Sequence, residues 1–231
     1  MLTDYVKAVQ DQESKGINSI RISGWITSKY EGRTFIKLTV SVKGRNNKTD
    51  YPTVYAFKDK DGTTPIDDYY IKDYISLSGH MSSMPEYKTE GKEPVQQVVM
   101  DSVHRPRRTR VGRHTGRYVD ANSVYLKGFV TNVERTQAVS FVTVESISKD
   151  GVKNTIRFVD FGNLTKDVET GLEYEIFGYI KTKRKVDDAG RRKPVYYQDA
   201  VVTRIQRPKK VYEKDRKTEE DQLRQLDALT M

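Results

Sequence analysis

The sequence predicts an all-β protein: two tandem five-stranded barrels with short helices between strands, followed by a C-terminal tail that is helical or disordered. Three observations carry that prediction. The 231-residue chain matches itself when shifted by 104 positions, and its apolar residues alternate with polar ones in many short segments. Its composition, 35% hydrophobic against 32% charged, suits two small cores better than one large one.

The first strand of each copy shows the repeat most clearly. Ile20, Gly24, Trp25 and Ile26 fall on Val124, Gly128, Phe129 and Val130, and Leu38-Thr39-Val40 falls on Val142-Thr143-Val144. With shifts of a few residues, Gly79 falls on Gly178, Pro94-Val95 on Pro194-Val195, and Arg105-Pro106 on Arg207-Pro208. Period-two alternation places successive side chains on opposite faces, which is the mark of strands. The first copy is expected to have strands near 18–29, 34–43, 52–58, 73–82 and 95–104. In the second they fall near 122–133, 138–147, 154–160, 173–183 and 195–206. Residues 63–72 and 163–171 are long enough for a helical turn or two. Three strands, a short helix and two strands is the order of the OB-fold. Gly24 and Gly128 stand where a strongly coiled first strand must bend to serve both halves of a small barrel.

These elements divide the chain into a barrel at 17–106, a basic linker at 107–119, a second barrel at 120–207 and a charged tail at 208–231. The linker region carries Arg105, Arg107, Arg108, Arg110, Arg113 and Arg117 with no acidic residue between them, and such a segment does not fold alone. In the tail, Leu223, Leu226 and Leu229 recur at helical spacing.

A net charge of +9 favours polyanionic partners, nucleic acid ahead of a membrane surface. The chain has no run of about 18 apolar residues and no signal-peptide core at its start, so an intracellular, cytoplasmic protein with no membrane partner is expected. Cysteine is absent, and His80, His104 and His114 are the only histidines, which leaves no basis for a zinc site. No metal and no cofactor are expected. Without a Gly-rich phosphate loop, a nucleophile motif or a paired-carboxylate constellation, an enzyme is not expected either.

Binding single strands without reading their sequence requires cations for phosphates and aromatic faces for unstacked bases. If Ile20, Ile22 and Ile26 face the core, Arg21 and Trp25 face outward, as Tyr125, Lys127 and Phe129 do in the second copy. A bulge in that strand would instead carry Trp25 and Phe129 to the end of the core. The second strand leaves Phe35 and Lys37 outward, with Phe141 at the matching outward position. In the third, Tyr55 and Phe57 are outward, and Arg157 is expected in the place of Tyr55. The hairpin between the last two strands is strongly basic in the second copy, with Lys181, Lys183, Arg184, Lys185, Arg191, Arg192 and Lys193, and Tyr196 follows it. The linker residues Arg107, Arg108, Arg110 and Arg113 complete the candidate surface.

The segments Val124-Tyr-Leu-Lys-Gly128-Phe-Val130 and Tyr174-Glu-Ile-Phe-Gly178-Tyr-Ile-Lys-Thr-Lys183, set in a doubled OB-like pattern, resemble the single-stranded DNA-binding protein family, especially its phage and plasmid forms. The resemblance covers about residues 17–207 and implies coating of single-stranded DNA in replication, recombination or repair. Bacterial members have one OB-fold per chain and an acidic tail ending in Pro-Phe, whereas this chain has two copies and ends Leu226-Asp-Ala-Leu-Thr-Met231. Whether its C-terminal segment recruits replication or recombination proteins is left open. Two other readings of the same pattern remain. An RNA-binding OB protein would aim donors at the ribose hydroxyl, and a structural adaptor would use sheet edges and the C-terminal leucines, with binding that responds weakly to salt.

Overall fold

The structure is a computed structural model that describes residues 16–44, 48–84, 95–106, 118–147, 153–185 and 195–208. Most of the linker, the tips of the last hairpin of each copy and the C-terminal tail lie outside the described residues. Within the described residues the strands are β1 (Ile17–Glu31), β2 (Phe35–Lys43), β3 (Thr49–Asp50), β4 (Thr53–Phe57), β5 (Tyr74–Met84) and β6 (Val95–His104), then β7 (Ala121–Arg135), β8 (Ser140–Ile147), β9 (Lys153–Asp160), β10 (Glu173–Lys185) and β11 (Val195–Gln206). Only the two-residue β3 has no counterpart in the expected strands.

Strand pairing closes into rings. In the first, β1 pairs with β2, β2 with β4, β4 in parallel with β6, β6 with β5, and β5 with β1 again. The second ring follows the same circuit through β7, β8, β9, β11 and β10. Inside the first ring Ile20, Ile22, Leu38, Val40, Val54 and Ile75 are buried; inside the second Val124, Leu126, Val142, Val144, Phe158 and Ile176 are. Each side chain of that size contributes about 1.5–3 kcal/mol on leaving water.

β1 and β7 each serve two partners by bending. Trp25 pairs with Ser41 on β2 and also with Tyr74 on β5, and the register slips by one residue between Ile26 and Ser28. β7 slips at the matching place, between Val130 and Asn132. A side chain at Gly24 would overlap the carbonyl oxygen of Ser41, and one at Gly128 that of Glu145. Glycine is needed here because neighbouring backbone approaches too closely for a Cβ.

The expected short helices are not formed: among the described residues there is no α-helix, and 63–72 and 163–171 fold as turns. Three-residue bonds run from Asp67 N–H to Thr64 O, from Tyr69 N–H to Ile66 O and from Asp73 N–H to Tyr70 O. A cation accounts for the difference. Lys29 Nζ donates to the carbonyl oxygens of Ile66, Asp67 and Tyr69 at 3.0, 3.2 and 2.8 Å. Arg135 Nη2 does the same for Thr165, Lys166 and Val168, each at 3.1 Å. Carbonyls drawn to a strand-borne cation are satisfied without a following helical turn.

The two rings are joined by β1 and β7, which pair antiparallel with Ile20 opposite Val124. Those residues occupy the same position in the repeat, so a local twofold axis passes between them. The result is a continuous six-stranded sheet, β6-β5-β1-β7-β10-β11. Side chains on its two outer strands obey the same axis. The Gln198 amide accepts from Thr53 N–H and donates to Thr53 O, both at 3.0 Å. The Gln96 amide treats Arg157 identically, both bonds at 2.8 Å. Each ring thus offers one glutamine to the backbone of the other ring's third long strand.

Candidate nucleic-acid interface

An aromatic groove lies on the outer side of β1, β2 and β4. Alternation buries Ile36, Leu38, Val54 and Ala56 and turns Phe35, Lys37, Tyr55 and Phe57 outward. Register then sets Phe35 opposite Phe57 and Lys37 opposite Tyr55. The Phe35 ring lies 5.5 Å from Tyr55, 6.5 Å from Phe57 and 6.4 Å from Tyr30, and Lys37 Nζ stands 6.0 Å from the Tyr55 ring. Ser28, Tyr30, Phe35, Lys37, Thr39 and Tyr55 line an open groove of about 420 Å³. Burial raises the pKa of the Tyr55 hydroxyl from its ordinary value.

Tyr30 was not among the expected site residues. Strict alternation from Ile20 and Ile22 would turn residue 30 inward; the slip between Ile26 and Ser28 turns it out, 61% exposed. A strand long enough to bend sharply, with an aromatic at its far end, is the signal that could have found it.

The corresponding surface of the second ring is chemically different. Register pairs Phe141 with Val159 and Thr143 with Arg157, whereas Lys37 pairs with Tyr55 and Thr39 with Thr53. Arg157 therefore occupies the position of Thr53, and Val159 that of Tyr55, correcting the expected match. A two-residue shift leaves alternation unchanged, and the ladder agrees here with the 104-position offset that relates β1 to β7 and β2 to β8. The Arg157 guanidinium lies over the Phe141 ring at 4.0 Å, and its Nη2 is 3.1 Å from Glu134 Oε2. Phe161, absent from the expected residues because it lies past the end of β9, is 47% exposed. Lys181 and Lys183 bring their ammoniums to 5.0 and 5.4 Å from its ring, and Lys183 also pairs with Asp199.

Other expected residues lie on the six-stranded sheet and are not among those that line the groove. Arg21 is exposed there. Tyr125 stacks on Phe177 at 4.8 Å and donates to Glu175 Oε1, while Lys127 pairs with Glu173 at 3.5 Å. Trp25 faces outward at the bend and is 45% exposed, with Tyr74 and Tyr118 at its edges, 5.1 and 5.6 Å away. Tyr74 stacks on Tyr118 at 4.0 Å and donates to Asp120 Oδ1, whose other oxygen accepts from Lys43 N–H. Burial and that carboxylate hold the Tyr74 hydroxyl far above its ordinary pKa. Phe129 is half-buried at the matching position of β7. For Arg184, Lys185 and Tyr196 only the strand backbone is described. Arg107, Arg108, Arg110, Arg113, Arg191, Arg192 and Lys193 lie outside the described residues.

No protein-family model matches the chain, and no curated protein matches it by sequence. Solved structures do match. The wild-type single-stranded DNA binding protein from Thermus aquaticus superposes with a TM-score of 0.55 at 14% identity, covering 84% of this chain and 94% of that one. A deletion mutant of the same protein gives a TM-score of 0.55 and covers 96% of its own chain. A Plasmodium falciparum SSB in complex with ssDNA covers 39% of this chain at a TM-score of 0.29, an overlap too partial to carry weight. At 14% identity the likeness to the Thermus protein is one of fold.

Proposed function

We propose that the two rings are a tandem pair of OB-folds and that the chain binds and coats single-stranded DNA with little sequence preference, in replication, recombination or repair. The observation that carries this reading is the groove of Tyr30, Phe35 and Tyr55 with Lys37, flanked by Phe57. Every base offers a π-face, so aromatic platforms accept any sequence, and neighbouring cations neutralise the phosphates. The fold likeness to a protein named for binding single-stranded DNA supports the same reading. So does the net charge of +9, which raises the local concentration of any polyanion.

On this reading the barrels span 17–106 and 120–207, with the basic segment 107–119 between them and a tail at 208–231 available to replication or recombination proteins. The function calls for no reaction, no cofactor and no metal, and places the protein in the cytoplasm. The test is fluorescence anisotropy of labelled poly-dT, poly-U and duplex DNA over a range of salt, with Trp25 emission recorded in parallel. Tight, salt-sensitive binding to poly-dT with weak duplex binding supports the proposal. Preference for poly-U transfers it to RNA, and equal or stronger binding to duplex, or none to poly-dT at low salt, overturns it.

A further inference from the structure

We propose that the two grooves are unequal: the first ring carries the primary single-strand site, and the matching groove of the second ring is latched by its own ion pair, opening only to a strand long enough to reach it. This rests on the single-strand reading above. The comparison is made position by position through the strand register. Tyr30 lies opposite Lys37, and Glu134 lies opposite Phe141, so a carboxylate replaces an exposed phenol. Tyr55 is replaced by Val159, and Lys37 by Phe141. Of the stacking residues only Phe57 finds an aromatic at its matching position, Phe161.

Phe141, the aromatic at the position of Lys37, is covered. Arg157 lies over Phe141 at 4.0 Å and is held by Glu134 at 3.1 Å, and its own N–H and C=O are gripped by Gln96 from the first ring. The guanidinium thus occupies the ring face that a base would use, while the Glu134 carboxylate repels an incoming phosphate. The latch has a chemical exit, because a phosphate is the other oxyanion that a guanidinium pairs with. When a strand arrives, Arg157 passes from Glu134 to a phosphate oxygen and uncovers Phe141. Lys181 and Lys183, beside the exposed Phe161, supply the cations on which such a strand first lands. In the first ring the corresponding positions, Thr53 and Tyr30, hold no such pair, and the groove is open.

The experiment is titration of the full chain with oligo-dT of about 10 nucleotides, within the roughly 4–16 that one OB-fold covers, and of about 30 nucleotides, which reaches both. The short oligonucleotide should bind once per chain. Phe35→Ala and Tyr55→Ala should each weaken it by roughly fivefold to a hundredfold, the range of one base stack. Phe141→Ala should weaken only the long one. Glu134→Gln, which removes the negative charge of the latch while keeping its shape, should tighten the long oligonucleotide. Circular dichroism of each variant separates lost binding from lost folding, and the exposed Glu134 is a second handle should Phe141→Ala unfold. Two short oligonucleotides per chain, equal sensitivity of short-strand binding to Phe35→Ala and Phe141→Ala, or no gain from Glu134→Gln overturns the inference and leaves the single-strand reading standing. No binding of either oligonucleotide at low salt overturns both.

Discussion

Replacing Gln198 by alanine should loosen the joint between the rings. The substitution removes two neutral hydrogen bonds, each 3.0 Å long, and strips the partner from both Thr53 N–H and Thr53 C=O. A bond of this kind contributes about 0.5–1.5 kcal/mol net, and an orphaned buried group costs about 1–3 kcal/mol. Thr53 is half-buried, so water replaces part of what is lost, and about 1 kcal/mol per group is the appropriate figure. The expected loss is about 2 kcal/mol, equivalent to a fall in Tm of about 4–8 °C for a chain of this size. Gln96→Ala should cost the same, because its bonds to Arg157 repeat the geometry at 2.8 Å. Gln198→Glu should fare no better than alanine, since a carboxylate can accept from Thr53 N–H but faces Thr53 O with no proton to donate. The assay is urea unfolding followed by Trp25 emission, which reports the first ring, and by far-ultraviolet circular dichroism, which reports both. In the double variant the two signals should separate, showing rings that unfold apart. If both single variants retain the wild-type unfolding free energy to within about 0.3 kcal/mol, the β1–β7 ladder alone holds the joint and the reasoning fails.

Gly128→Ala should destabilise the second ring by about 1–3 kcal/mol, because the new methyl overlaps the Glu145 carbonyl oxygen; calorimetry giving an unchanged Tm would show that β7 and β8 move apart freely. Asp160 is buried and accepts from Gly162 N–H, Thr165 N–H and Thr165 Oγ1, each at 2.8 Å, so Asp160→Ala should cost about 3 kcal/mol; a loss below about 1 kcal/mol in denaturant melts would refute that account. The bonds from Thr64 N–H and Oγ1 lower the pKa of Asp67, and the bond from Tyr70 N–H lowers that of Asp73. Folded values below the unfolded 3.8 mean that their stabilisation is complete above that pH and is lost as pH falls through the folded values. Asp50, raised by burial, acts oppositely and regains stability as it protonates. Asp67→Asn with Asp73→Asn should therefore flatten the fall in stability below about pH 4, and an unchanged acid limb in a pH series of melts would contradict the assignment.

The strands could be read from alternation, because side-chain direction along a strand depends only on neighbouring residues. Ile20, Ile22, Leu38, Val40, Val142 and Val144 announced buried faces that the fold does bury. The doubled pattern around Gly24 and Gly128 likewise anticipated the bend, since a missing Cβ is a local property. Phe35, Lys37, Tyr55 and Phe57 were legible as outward residues for the same reason.

What depended on distant backbone was not legible. Tyr30 turns outward because of a slip in pairing with β2, which alternation along β1 does not show. The turns at 63–72 and 163–171 are shaped by Lys29 and Arg135, cations more than 25 residues earlier in sequence. Gln96 and Gln198 occupy matching places only through the register of β6 and β11, since the sequence match of Val95 with Val195 sets Gln96 on Tyr196, and their partners are main-chain groups of the other ring. The sequence by itself determined which residues form strands and which face each presents, because period-two geometry is local. Only the tertiary structure decided which strand edges meet, in what register, and hence which aromatics share a groove, because backbone hydrogen bonds look the same after a shift of two residues.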